Sequence, residues 1–117
     1  MSLVWEQIVV DAADEPGLAH WWAEVLGWVV VTDEPGEVEI RPAPDVLPGL
    51  LFTPVPEPKT VKNRLHLDLR PDDQDAEVRR FLAAGATRVD VGQQDVSWVV
   101  LADPEGNEFC ILSAPRA

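Results

Sequence analysis

A single cysteine, Cys110, stands in the whole chain. One thiol excludes an internal disulfide and suits a reducing cytoplasm. Long apolar runs are missing too, and no stretch approaches the ~18 residues that cross a bilayer. The opening Met-Ser-Leu-Val-Trp-Glu has no basic segment ahead of an apolar run, so no signal peptide is expected. Basic residues are scarce: 9 Lys and Arg against 21 Asp and Glu leave a formal net charge of −12. That balance lacks the basic footprint that nucleic acid requires and repels an anionic membrane surface. Its plain use is solubility; its sharper use is attraction of a cationic ligand by the summed field. Also absent are a Gly-rich phosphate loop, a Gly-x-Ser-x-Gly and paired cysteines. At 117 residues the chain makes one domain, or two half-domains that cannot stand apart.

What is present is written twice. Gln7-Ile-Val-Val-Asp-Ala-Ala-Asp14 precedes a helical stretch ending at Gly27, and His66-Leu-Asp-Leu-Arg-Pro-Asp-Asp73 precedes one ending at Gly85. Gln7 to His66 spans 59 positions, as does Asp14 to Asp73. A repeat of this length is the mark of a duplicated module. The spacing predicts module one over 1–54, a linker over 55–61 and module two over 62–117. In module one, strands are expected at Leu3–Val10, Trp28–Thr32, Val38–Arg41 and Leu50–Thr53. In module two they are expected at Arg64–Arg70, Ala86–Val91, Ser97–Ala102 and Glu108–Leu112. Asp14 caps the first helix, whose Leu18, Trp21, Trp22, Val25 and Leu26 fall on one stripe. Asp72 or Asp73 caps the second, which buries Val78, Phe81 and Leu82. The order is βαβββ twice. The fold class is α+β: two modules in a partly open, eight-stranded, barrel-like cup with the helices outside.

Period two along each strand sorts residues onto two faces. Leu65, Leu67 and Leu69 face the helices, leaving Arg64, His66, Asp68 and Arg70 opposite. Ile8 and Val10 go to the helix side, Trp5, Gln7 and Val9 to the other. Phe109 and Ile111 pack inward, while Glu108, Cys110 and Leu112 face away. The expected cup is thus Trp5, Gln7, Phe52, Arg64, His66, Asp68, Trp98 and Cys110. Aromatic walls with a few polar groups are the usual make-up of a small-ligand pocket.

The helix Asp14…Trp21-Trp22-Ala-Glu-Val-Leu-Gly27, the closing Asp103-Pro-Glu-Gly-Asn-Glu108 and the segment Val55-Pro-Glu-Pro-Lys…Lys62-Asn-Arg-Leu-His-Leu-Asp68 resemble the vicinal oxygen chelate superfamily. That superfamily includes glyoxalase I, bleomycin-resistance proteins and extradiol dioxygenases, and the Val55–Asp68 segment looks like a bacterial glyoxalase-like subgroup. The resemblance covers nearly the whole chain and speaks to fold more than to reaction. It implies one divalent metal (Zn, Ni, Mn or Fe) held by a ligand from each of four strands: His or Gln, Glu, His and Glu. Here Gln7 and His66 fall on the first and third places. The second falls near Leu51 or Phe52 and the fourth on Cys110, so two carboxylates are missing. Glu108, on the same expected face as Cys110, can stand in.

Three functions follow. The first is a cytoplasmic small-molecule-binding protein with a degenerate or absent metal site and no cofactor. The second is a metal-dependent lyase, isomerase or dioxygenase with Gln7, His66 and Cys110 or Glu108 as ligands. The third is an acidic drug-sequestering protein like those that bind bleomycin. His66 is the candidate catalytic residue, and Asp68 can orient its imidazole. The sequence does not choose between enzyme and binder. A homodimer is implied by the resemblance alone.

Overall fold

The computed structural model describes residues 2–115. In order, it forms β1 (Gln7–Ala12), α1 (Glu15–Leu26), β2 (Val29–Glu34), β3 (Glu37–Arg41), β4 (Gly49–Pro54), β5 (Leu67–Leu69), α2 (Gln74–Ala83), β6 (Thr87–Arg88), β7 (Val99–Ala102) and β8 (Glu108–Ile111). The βαβββ order therefore occurs twice, in two compact units that divide between Pro58 and Lys59. Each unit carries an open four-stranded sheet, ordered β1-β4-β3-β2 in the first and β5-β8-β7-β6 in the second. In each, the first strand runs parallel to the last and the remaining pairs are antiparallel. A parallel pair needs a crossover, and the helix after the first strand begins it.

Local chemistry explains both helices. The Asp14 carboxylate accepts a hydrogen bond from Gly17 N at 3.1 Å and so caps α1. Gly27, in the left-handed region at φ 67°, ends it. The helix buries Leu18, Ala19, Trp22, Ala23 and Val25. Trp21, expected on the same stripe, is only half-buried and meets Trp22 edge-on at 5.1 Å. In the second unit Asp73 caps α2 through Ala76 N at 3.1 Å. Val78 and Phe81 are its buried residues, and the Phe81 ring lies 5.5 Å from that of Phe109 on β8.

Several strands are shorter than expected or shifted, each for a local reason. β1 starts at Gln7 because its partner β4 starts at Gly49, directly opposite. Leu3, Val4 and Trp5 lie before the ladder and are exposed. β5 covers only Leu67–Leu69. Ahead of it, Asn63 N donates to the Glu108 carboxylate at 3.0 Å, and Leu65 is 86% exposed. The alternation that suggested a strand from Arg64 therefore buries nothing before Leu67. β6 is cut to Thr87–Arg88 because side chains capture the following backbone: Asp90 accepts from Gly92 N and Gln93 from Val91 N, both at 2.8 Å.

Candidate functional site

Strand register decides which expected residues share a face. In the second unit Asp68 lies opposite Cys110, and Val100 opposite Cys110 on its other side. Leu67 and Leu69 pair with Phe109 and Ile111, so the apolar residues occupy the other face. In the first unit Val9 lies opposite Leu51 and Val10 opposite Phe52. Both partners of the Val9–Leu51 pair recur 59 positions later as Asp68 and Cys110. Leu51 is therefore the counterpart of Cys110, and it offers no ligand atom.

The same register corrects the placement of Phe52. It shares a face with Ile8 and Val10, toward α1, and is fully buried in the core of the first unit. It is a packing residue, not a wall of the expected cup. Trp5 precedes β1 and is 65% exposed. Gln7 is the first residue of β1 and half-buried. Arg64 lies in an exposed bend, and Trp98, one residue before β7, is 41% exposed.

Three expected residues do converge. His66 Nε2 lies 3.1 Å from Asp68 Oδ1. The ligand atoms of His66, Asp68 and Cys110 all fall within 4.8 Å of one another. The imidazole and carboxylate are about half exposed, whereas Cys110 is buried behind them. Burial pushes the Cys110 thiol pKa up; the Asp68 charge and the thiol's hydrogen bond to that carboxylate push it further, against Lys62. At neutral pH the group is thus a thiol donating to Asp68, not a nucleophilic thiolate. Asp68 is the hub: it accepts from the thiol and orients the imidazole.

Glu108 does not join this cluster. It is buried, and its oxygens lie 3.0 and 2.7 Å from Lys59 Nζ. Burial alone would raise its carboxyl pKa, but Lys59 and the backbone N–H of Asn63 outweigh that and hold it below the ordinary 4.5. It serves as the anchor of the 59–63 segment. Asp103 is likewise structural. Its carboxylate accepts from Glu105 N and Asn107 N, both at 2.9 Å, and closes the turn before β8.

One buried pair escaped the sequence reading. Glu39 on β3 is buried and holds Arg41 Nε at 2.8 Å. Arg41 also reaches Glu6 at 3.3 Å and the Pro44 carbonyl at 2.9 Å. Gly49 makes room for this: a Cβ there would stand 2.8 Å from Glu39 Oε2 and 2.9 Å from Ile40 O. Val38-Glu39-Ile40 reads as an ordinary half-exposed strand, so only Gly49 hinted at it.

The residues at the implied metal positions are Gln7, Leu51, His66 and Cys110, with Glu108 committed to Lys59. They do not reproduce a four-ligand set with two carboxylates, and a hard cation held there would lack anionic compensation.

A profile for the glyoxalase-like domain matches residues 7–112. No curated protein matches the sequence. Among solved structures, a glyoxalase/bleomycin resistance protein/dioxygenase family enzyme from Burkholderia phytofirmans is similar at 19% identity and TM-score 0.71, over 92% of this chain and 95% of that one. TnmS3, an antibiotic-binding protein from a Streptomyces species, is similar at 20% identity and TM-score 0.65, over 98% and 99%. The trypanothione-dependent glyoxalase I of Leishmania major is similar at 16% identity and TM-score 0.70, over 96% and 87%. At these identities the likeness is one of fold.

Proposed function

The chain belongs to the glyoxalase-like domain family, within the vicinal oxygen chelate superfamily, and we propose that it is a small-molecule-binding member whose shared metal site is degenerate. The observation that carries this reading is the register that puts Leu51 where its counterpart is Cys110, while a polar cluster at His66, Asp68 and Cys110 persists. A half-exposed imidazole and carboxylate over a buried thiol offer donors and acceptors for orienting one small organic molecule. His66 and Asp68 are the anchoring pair, and exposed Trp98 is an aromatic contact and a reporter. The setting is cytoplasmic, in keeping with the lone buried thiol.

A compound screen read by tryptophan fluorescence tests this. Binding that saturates and is lost in His66→Ala, a surface change that leaves the circular dichroism intact, supports the reading. A hit whose affinity is untouched by both His66→Ala and Asp68→Asn moves the site elsewhere and sinks it.

A second reading, sequestration of a cationic drug, is favoured by the net charge of −12 and by the antibiotic-binding protein among the structural neighbours. A cationic ligand then associates more slowly as salt rises. A salt-independent association rate argues for the neutral or anionic ligand instead.

A further inference from the structure

We propose that His66, Asp68 and Cys110 hold one soft divalent cation of the zinc class entirely within the second unit, leaving the fourth tetrahedral position open to water or an anionic ligand atom. Asp68 and Cys110 lie directly opposite each other on the adjacent parallel strands β5 and β8, and His66 stands one residue ahead of β5, two before Asp68. They lie within 4.8 Å of one another. A tetrahedral shell with zinc bonds to N, O and S separates its ligand atoms by about 3.5 Å, so rotation of two half-exposed side chains closes the gap.

Charge decides between this set and the four-strand pattern. Gln7 and His66 are neutral ligands and leave a dication uncompensated. Asp68 supplies one negative charge and Cys110, once deprotonated, the second, so the complex is neutral. Binding replaces the S–H bond with an S–metal bond and releases one proton to solvent. Imidazole, carboxylate and thiolate together suit zinc, whereas magnesium and calcium prefer oxygen alone. Glu108, on the same strand as Cys110, stays out because Lys59 neutralises it. Three protein ligands with one free position is the pattern of a site that binds an exchangeable group rather than a closed structural knot. This inference stands on the second unit's own geometry, whether or not the small-molecule reading holds.

Cobalt(II) is the spectroscopic probe and zinc the competitor. One equivalent of cobalt added to the full chain should give a thiolate-to-metal charge-transfer band and the visible bands of four-coordinate cobalt, both erased by one equivalent of zinc. Cys110→Ser should abolish the charge-transfer band. His66→Gln, at a half-exposed position that folding does not need, should weaken cobalt binding at least ten-fold, and Asp68→Asn similarly. Gln7→Ala should leave the spectrum unchanged. The proposal is overturned by octahedral cobalt without a thiolate band, or by His66→Gln binding as tightly as the parent. Loss of the site in Gln7→Ala overturns it as well, because the ligands would then not be confined to one unit.

Discussion

Lys59→Ala removes the cation opposite a buried carboxylate, and the expected cost follows from the surroundings of Glu108. The Glu108 side chain is 9% exposed and that of Lys59 20%, with Nζ 2.7 Å from one carboxylate oxygen. Breaking a fully buried pair costs about 3–5 kcal/mol, while a surface pair is worth about 0–1. Lys59 reaches some water, and Asn63 N still donates to the stranded carboxylate at 3.0 Å. The expected loss is therefore intermediate, about 2 kcal/mol. For a chain of this length that lowers Tm by roughly 6–10 °C. Urea unfolding should show a lower midpoint at unchanged slope. Replacing both partners, Lys59→Met with Glu108→Met, should cost less than the two single changes added together, because no charge is left alone. A loss under about 0.5 kcal/mol in Lys59→Ala would refute the reasoning and make the contact an ordinary surface pair.

The Glu108 carboxyl, held below its ordinary 4.5 in the folded chain, adds stability that is present above that value and is lost as pH falls through the lower folded value. Glu108→Gln should flatten that acid limb in urea midpoints measured from pH 7 down to pH 3. Gly49→Ala forces a methyl against Glu39 Oε2 and the Ile40 carbonyl and should cost about 1–3 kcal/mol by thermal unfolding. Phe52→Ala empties a fully buried position and should cost about 3–5 kcal/mol; a change in ligand affinity without that loss would return Phe52 to the binding surface. Cys110 should react with thiol reagents at higher pH than a free cysteine does, and Asp68→Asn should move that onset down, since it removes the charge that adds to burial.

Much of the fold was legible because its signals are local. The Asp14 and Asp73 caps, the stops at Gly27 and Gly85, and the 59-position offset required no tertiary information. The common face of His66, Asp68 and Cys110 follows from period two once the parallel β5–β8 pairing is granted. Phe52 was placed on the wrong face because Leu50, Leu51 and Phe52 are all apolar and give no alternation to read. Its register came from pairing with β1 and β3. The role of Glu108 depended on Lys59, a partner 49 residues away that no periodicity points to. The strand expected at Ala86–Val91 was cut to Thr87–Arg88 because Asp90 and Gln93 turn their side chains on the backbone, a competition that strand propensity ignores.

The working site proposed for this chain is His66 with its two neighbours, Asp68 and Cys110. The chain has two histidines, His20 and His66, and His20 is paired on the surface with Asp33 at 3.0 Å. Imidazole NMR therefore tests the claim with an internal control. Addition of a compound found in the fluorescence screen should shift the His66 ring resonances in saturable fashion and leave those of His20 in place. Saturable binding that moves neither ring, or only His20, would contradict the account.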